Sequence, residues 1–191
     1  IALDSIGSFF ASDRPPVAIG EIGLDYFRAP SDPEEFEALR ARQIKIFSRQ
    51  LELSNSFGDA KICVHARESV GDCVAQIAAA GVDFSRAVFH CYAGTAEELE
   101  EINALGARAS FTGIITYKSA AQMRKAMLAQ GIGRLMLETD SPYLAPVPLR
   151  GGENEPANIP LVARAAAEIF GVSEEYLADA VYENSRDFFG I

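Results

Sequence analysis

Four side chains in this chain are suited to holding a divalent cation: Glu21, His65, His90 and Asp140. His65 and His90 are its two histidines. Each closes a short apolar run, AKICVH and RAVFHC. Glu21 follows the run VAIG, and Asp140 follows RLMLET. Two imidazoles and two carboxylates suit Zn²⁺, Mn²⁺ or Fe²⁺, and a carboxylate-rich set completed by water suits Mg²⁺. A cation held there lowers the pKa of a bound water and polarises a phosphoryl or carbonyl oxygen, and a neighbouring carboxylate can take the proton.

Each residue also has a plainer use. A histidine at a strand end is often a hydrogen-bonded core or loop residue. Glu21 can cap a helix or pair with Arg28, although an unpaired charge in the apolar stretch AIGEIGLDY would be costly. Asp140 can cap the turn at Ser141-Pro142. Arg67 and Arg150 can reach a substrate phosphate, or serve as a surface salt bridge and a loop anchor respectively.

The elements that must position these groups follow from periodicity. Short apolar runs, over 17–23, 60–65, 86–91, 108–112 and 134–139, alternate with stretches of helical spacing. Ser31 or Asp32 caps the first long helix with Pro33 in its first turn, and that helix ends near Asn55. Thr95 to Glu98 reads as a capping box. Residues 140–160 form a long loop rich in Pro and Gly, of a length that is usually functional or disordered. An amphipathic helix over 159–170 follows, and one or two short helices finish the chain. Such alternation implies a parallel sheet, either open and doubly wound or part of a barrel. In both, active sites lie beyond the C-terminal strand ends, so the four candidate ligands are expected on one rim.

Composition sets the bounds. The 191 residues, 49% of them hydrophobic, suit a single domain spanning 1–191. The three cysteines, Cys63, Cys73 and Cys91, show no CxxC spacing, which argues against a disulfide framework or a structural zinc site. Cys63 and Cys91 read as small core residues. The net charge of −10 speaks against a broad phosphate-binding surface, but carboxylate-bound cations can themselves meet a phosphate. With no membrane-length apolar run and no leader pattern, a cytoplasmic enzyme is the default expectation.

The blocks GEIGLDYFR (20–28), VHARES (64–69), FHCYAGT (89–95), SFTGIITYK (110–118) and LETDSPYLAPVPLRGGENEPANI (137–159) resemble, in order, the signature blocks of the TatD family of metal-dependent deoxyribonucleases. The resemblance covers nearly the whole chain. It implies a TIM-type (β/α) barrel in which Glu21, His65, His90 and Asp140 bind one or two divalent ions, Mg²⁺ first with Zn²⁺ or Mn²⁺ as alternatives. Asp140 and Glu21 would be catalytic, with Asp140 the proton acceptor for a metal-activated water. The implied activity is 3′-to-5′ exonuclease cleavage of phosphodiester bonds in DNA, at single-stranded ends, with Arg67 and Arg150 at the substrate. No membrane and no obligate protein partner are implied.

The family's H-x-H pair, at the end of the first barrel strand, has no counterpart in these residues. A barrel has eight strands, and five are legible here, so the chain is expected to be the C-terminal portion of the domain without its N-terminal strands. The first residue, Ile1, fits that expectation. Two alternatives stay open: hydrolysis of an amide, ester or lactone on the same metals, and a catalytically impaired truncated remnant.

Overall fold

The computed structural model describes residues 4–191. They divide into two compact units, one running to Val88 and the other from Phe89 to Phe189.

In the first unit, after a short helix α1 (Asp4–Phe10), the chain builds β1 (Ala18–Asp25), α2 (Pro33–Asn55), β2 (Lys61–Arg67) and α3 (Val70–Ala79). Asp32 starts α2, as its side chain accepts from the backbone N–H groups of Glu34 and Glu35 at 3.0 Å. β1 and β2 pair in parallel. Ile22, Leu24, Ile62 and Val64 point to the core, where Phe47 and Leu51 of α2 and Cys73 and Ile77 of α3 meet them. Burial in that apolar packing pushes the Cys73 thiol up to about 12.

The period of two puts Glu21, Gly23 and Asp25 on the other face of β1, with Cys63, His65 and Arg67 on the same face of β2. Ile19 pairs with Ile62 and Ile22 with Val64, so Gly20 and Glu21 stand against Cys63 alone. This extra residue is a bulge, a feature that re-aims side chains. A Cβ on Gly20 would come within 2.6 Å of the Cys63 Cβ, so only glycine fits the strand so close to its neighbour.

Two expectations are corrected here. Glu21 does not stand at the C-terminal end of its strand. It sits mid-strand at the bulge with its side chain 51% exposed, because β1 continues through the polar-faced residues to Asp25. Cys63 is half-buried rather than core, because it lies on the face that carries the polar groups.

β3 (Ala87–Phe89) lies at the division between the units. The second unit continues with α4 (Ala96–Leu105), β4 (Arg108–Phe111), α5 (Ala121–Gln130), β5 (Met136–Leu137), α6 (Ile159–Phe170) and α7 (Glu174–Phe189). Thr95 and Glu98 form the expected capping box. β4 and β5 pair in parallel. β5 covers only Met136 and Leu137 of its apolar run, and residues 132–134 ahead of it turn in a 3₁₀ helix. That turn lets the Arg134 guanidinium donate to the carbonyls of Asn103, Gly106 and Ala107 at the end of α4. Cys91 is likewise half-buried: it occupies the turn after β3 with φ +46. The chain finishes in one 16-residue helix, α7, instead of one or two short ones.

Each unit uses one glutamine in the same way. Gln43 of α2 accepts from the Asp25 N–H and donates to the Asp25 carbonyl, both at 2.8 Å. Gln130 of α5 does the same with Ala109 of β4, both at 2.7 Å. The side-chain amide replaces a neighbouring strand residue and locks the position of the backbone it grips.

Candidate metal-binding clusters

In the first unit the candidate ligands meet across a gap in the side-chain row. Gly23 pairs with His65, and Glu21 and Asp25 stand two positions to either side of it on the same face. With no side chain opposite, the His65 ring reaches both carboxylates. Its Nδ1 lies 2.5 Å from Glu21 Oε1 and its Nε2 3.2 Å from Asp25 Oδ2. Gly23 has φ +147, and a Cβ there would overlap the His65 backbone carbonyl. The second glycine of GEIGLD is therefore required on two counts, conformation and space.

A neutral imidazole carries one N–H. The two carboxylates stand at opposite ring nitrogens, so in that form one nitrogen can share an ion with the carboxylate beside it while the other donates its N–H to the second carboxylate. An imidazole nitrogen with the carboxylate beside it is a donor pair that suits a first-row or alkaline-earth divalent ion. Asp25 was not among the sequence candidates. Its signal was available in the spacing of Glu21, Gly23 and Asp25, which a strand places on one face.

In the second unit His90 follows β3, and Asp140 lies three residues past β5. Ligand atoms of His90, Glu138 and Asp140 all fall within 4.8 Å of one another. Glu138 was also missed from sequence, since it sits inside the run read as a strand. Its Oε1 accepts from the Cys91 backbone N–H and from the Ser110 hydroxyl, each at 2.5 Å. Its Oε2 stands 3.6 Å from His90 Nδ1, longer than a hydrogen bond but within ion-pair range. Burial pushes the Glu138 carboxyl up, and His90, Ser110 and the Cys91 N–H together outweigh it, so the net shift is downward. The His90 and Glu138 side chains are 13% and 27% exposed.

The backbone around these clusters is strained. Glu68, Cys91 and Asp140, at φ +57, +46 and +54, follow β2, β3 and β5 respectively. Left-handed non-glycine residues cost on the order of 1–3 kcal/mol each and concentrate at functional sites. Asn154, nearly buried, fastens the loop that carries Asp140: its amide donates to the carbonyls of Thr139 at 2.8 Å and Tyr143 at 2.7 Å.

Of the two sequence-named arginines, Arg67 lies with its guanidinium over the Phe27 ring, 3.5 Å from the centroid. Arg150 lies over the Tyr117 ring at 4.2 Å. Stacking holds each in place with its planar donors along the edge.

Parallel strand–helix alternation with imidazole–carboxylate clusters at and beyond the strands defines an α/β protein with candidate metal-binding groups. Comparison with known proteins gives the family. Residues 2–190 match the family described as TatD related DNase. The chain belongs to the TatD family. It is 35% identical, over 181 residues, to the uncharacterized metal-dependent hydrolase YcfH of Escherichia coli (strain K12), covering 95% of this chain and 65% of that protein. It is 33% identical over 178 residues to the 3′-5′ ssDNA/RNA exonuclease TatD of Erwinia billingiae, covering 91% of this chain and 65% of that one. Among solved structures, the TatD homologue YJJV of Escherichia coli K12 matches with a TM-score of 0.85 at 26% identity, over 100% of this chain and 70% of that chain. The fold class is thus the expected α/β TIM-barrel type, and the chain spans 65% of the length of these curated relatives. No helix among the described residues is long and apolar enough to cross a membrane.

Proposed function

We propose that the protein carrying this chain is a metal-dependent hydrolase that cleaves phosphodiester bonds of single-stranded nucleic acid from the 3′ end, DNA first among its substrates. The observation that carries this reading is the His65 ring set between two carboxylates, in a chain of the TatD family. Glu21 and His65 in the first unit, and His90 and Asp140 in the second, are the proposed ligands of one or two divalent ions, with Mg²⁺ the expected metal. The chain is read as the C-terminal portion of a single barrel domain, working in the cytoplasm.

When bound, such an ion polarises a phosphoryl oxygen and lowers the pKa of water beside it. The protein's own groups do the rest. Asp140 accepts the proton of the attacking water, and Glu21 serves both as ligand and as a catalytic carboxylate. The stacked guanidiniums of Arg67 and Arg150 bind substrate phosphate. The name of the Erwinia billingiae relative, which includes both ssDNA and RNA, supports a nucleic-acid substrate.

The test is incubation of the full protein with 5′-labelled single-stranded DNA or RNA, in Mg²⁺ or in EDTA, beside Asp140→Asn. Mg²⁺-dependent shortening from the 3′ end, lost in the variant, is expected. Folded protein that cuts neither polymer with Mg²⁺, Mn²⁺ or Zn²⁺ overturns the nuclease reading.

A further inference from the structure

Asp25 lies in neither the metal-ligand set nor the substrate set proposed above, yet both its backbone and its carboxylate are held in place. Its backbone N–H and C=O are both held by the Gln43 amide. Its Oδ1 accepts from the Phe27 backbone N–H at 2.9 Å. That leaves Oδ2 facing His65 Nε2 at 3.2 Å, while the opposite nitrogen, Nδ1, faces Glu21.

From this geometry we infer that Asp25 is a positioning residue, which holds the Nε2–H tautomer of His65 and so keeps Nδ1 as the nitrogen turned toward the cation. The inference rests on the reading of Glu21 and His65 as metal ligands. The physical reason is that a metal-bound histidine donates its other ring N–H to a fixed acceptor, which sets both the tautomer and the ring orientation. Asp25 is built for that acceptor role. One oxygen accepts from the Phe27 N–H, which favours the orientation that turns the other toward His65, and the backbone clamp fixes the strand position it starts from. The Asp25 side chain is 44% exposed and that of His65 29%. At such exposure the pair adds little to folding stability, so its effect falls on ring chemistry rather than on the fold.

Replacement by asparagine gives a sharp consequence. The Phe27 N–H selects the amide oxygen of Asp25→Asn, which turns the NH₂ group toward His65 Nε2. An NH₂ there demands an unprotonated Nε2, so the ring proton moves to Nδ1, where the cation must bind. Asp25→Ala presents only water to Nε2 and selects neither tautomer.

The experiment uses the full protein with ¹⁵N-labelled histidine, the His65 signals being assigned by their loss in His65→Gln. Long-range ¹H–¹⁵N spectra in Mg²⁺ and in EDTA report which nitrogen carries the proton, calorimetry with Mn²⁺ reports affinity, and thermal melting in EDTA reports stability. Wild type is expected to show a proton on Nε2 in Mg²⁺, with Nδ1 left to the cation. Asp25→Asn is expected to move it to Nδ1 and to weaken Mn²⁺ binding by about 10–100-fold, with the melting midpoint in EDTA unchanged. Asp25→Ala is expected to fall between them, and it carries the comparison if the asparagine variant does not fold. Variants that fold and leave both the Nε2 proton and the Mn²⁺ affinity as in wild type overturn the inference. If wild type binds no Mn²⁺, the metal-ligand reading fails by itself, and the Nε2 proton and its loss in the variants still decide the role of Asp25.

Discussion

Glu138 shows how much one side chain can organise. One of its oxygens receives both the Cys91 N–H and the Ser110 hydroxyl, and the other faces His90. It therefore ties the turn after β3 to β4. Truncation leaves the Ser110 hydroxyl, on a buried residue, and the Cys91 N–H without their acceptor. Glu138→Ala is expected to lower unfolding stability by about 1–3 kcal/mol, read as a shift of the denaturant midpoint. Ser110→Ala should cost less, since the carboxylate keeps its other donors. A midpoint unmoved in Glu138→Ala would contradict this. At this scale the sequence singled out the histidines, Glu21 and Asp140 as candidates because each borders an apolar run. Glu138 was hidden because a carboxylate inside such a run looks like an interruption of a strand. Asp25 was hidden because the run was taken to end before it.

The element that does most is the pair β1–β2. Its bulge at Gly20–Glu21 and its gap at Gly23 together decide where His65 can lie. Gly23→Ala puts a methyl into the His65 carbonyl at a φ that favours glycine, so stability should fall by at least about 2 kcal/mol. Urea unfolding measures it, and Ile22→Val, a core trim on the same strand, should cost less. Around the same strand Asp72 of α3 accepts from the Arg40 guanidinium at 2.6 and 2.8 Å and from the Tyr26 hydroxyl at 2.8 Å. The hydrogen bonds from Arg40, above all, hold its carboxyl below the usual aspartate range, against a smaller opposing effect of burial. A depressed folded pKa gives stability that is present above the unfolded value of about 3.9 and lost as pH falls through the folded one. Asp72→Asn should therefore be less stable than wild type at neutral pH, with the gap closing below about pH 4. Melting curves across that range check it, and a gap that persists in acid would contradict it. The helices were legible from caps and periodicity, as at Asp32 and Thr95. Strand ends were not, because β1 and β2 run on through residues that are polar on one face, and β5 is cut short where Arg134 turns to cap α4.

For the molecule as a whole, a net charge of −10 turns from an objection into a requirement for cations if the clusters bind them. An ion that binds the folded state alone stabilises it by mass action, about 2.7 kcal/mol at a hundred times its dissociation constant. For a chain of this size that is a rise in melting temperature of roughly 5–10 °C. Titrating Mn²⁺ into EDTA-treated protein should show it, Asp140→Asn should reduce it, and a melting temperature indifferent to Mn²⁺ would contradict cation binding. The placement of His65 over Gly23 carries one more consequence, for recombination between relatives. The two strands supply interlocking halves of one local arrangement: the bulge, the gap and Asp25 come from β1, and the ring that fills the gap comes from β2. A chimera with its crossover between residues 25 and 61 joins halves that were not selected together. A crossover near 88–89, where the chain divides, passes the arrangement on intact.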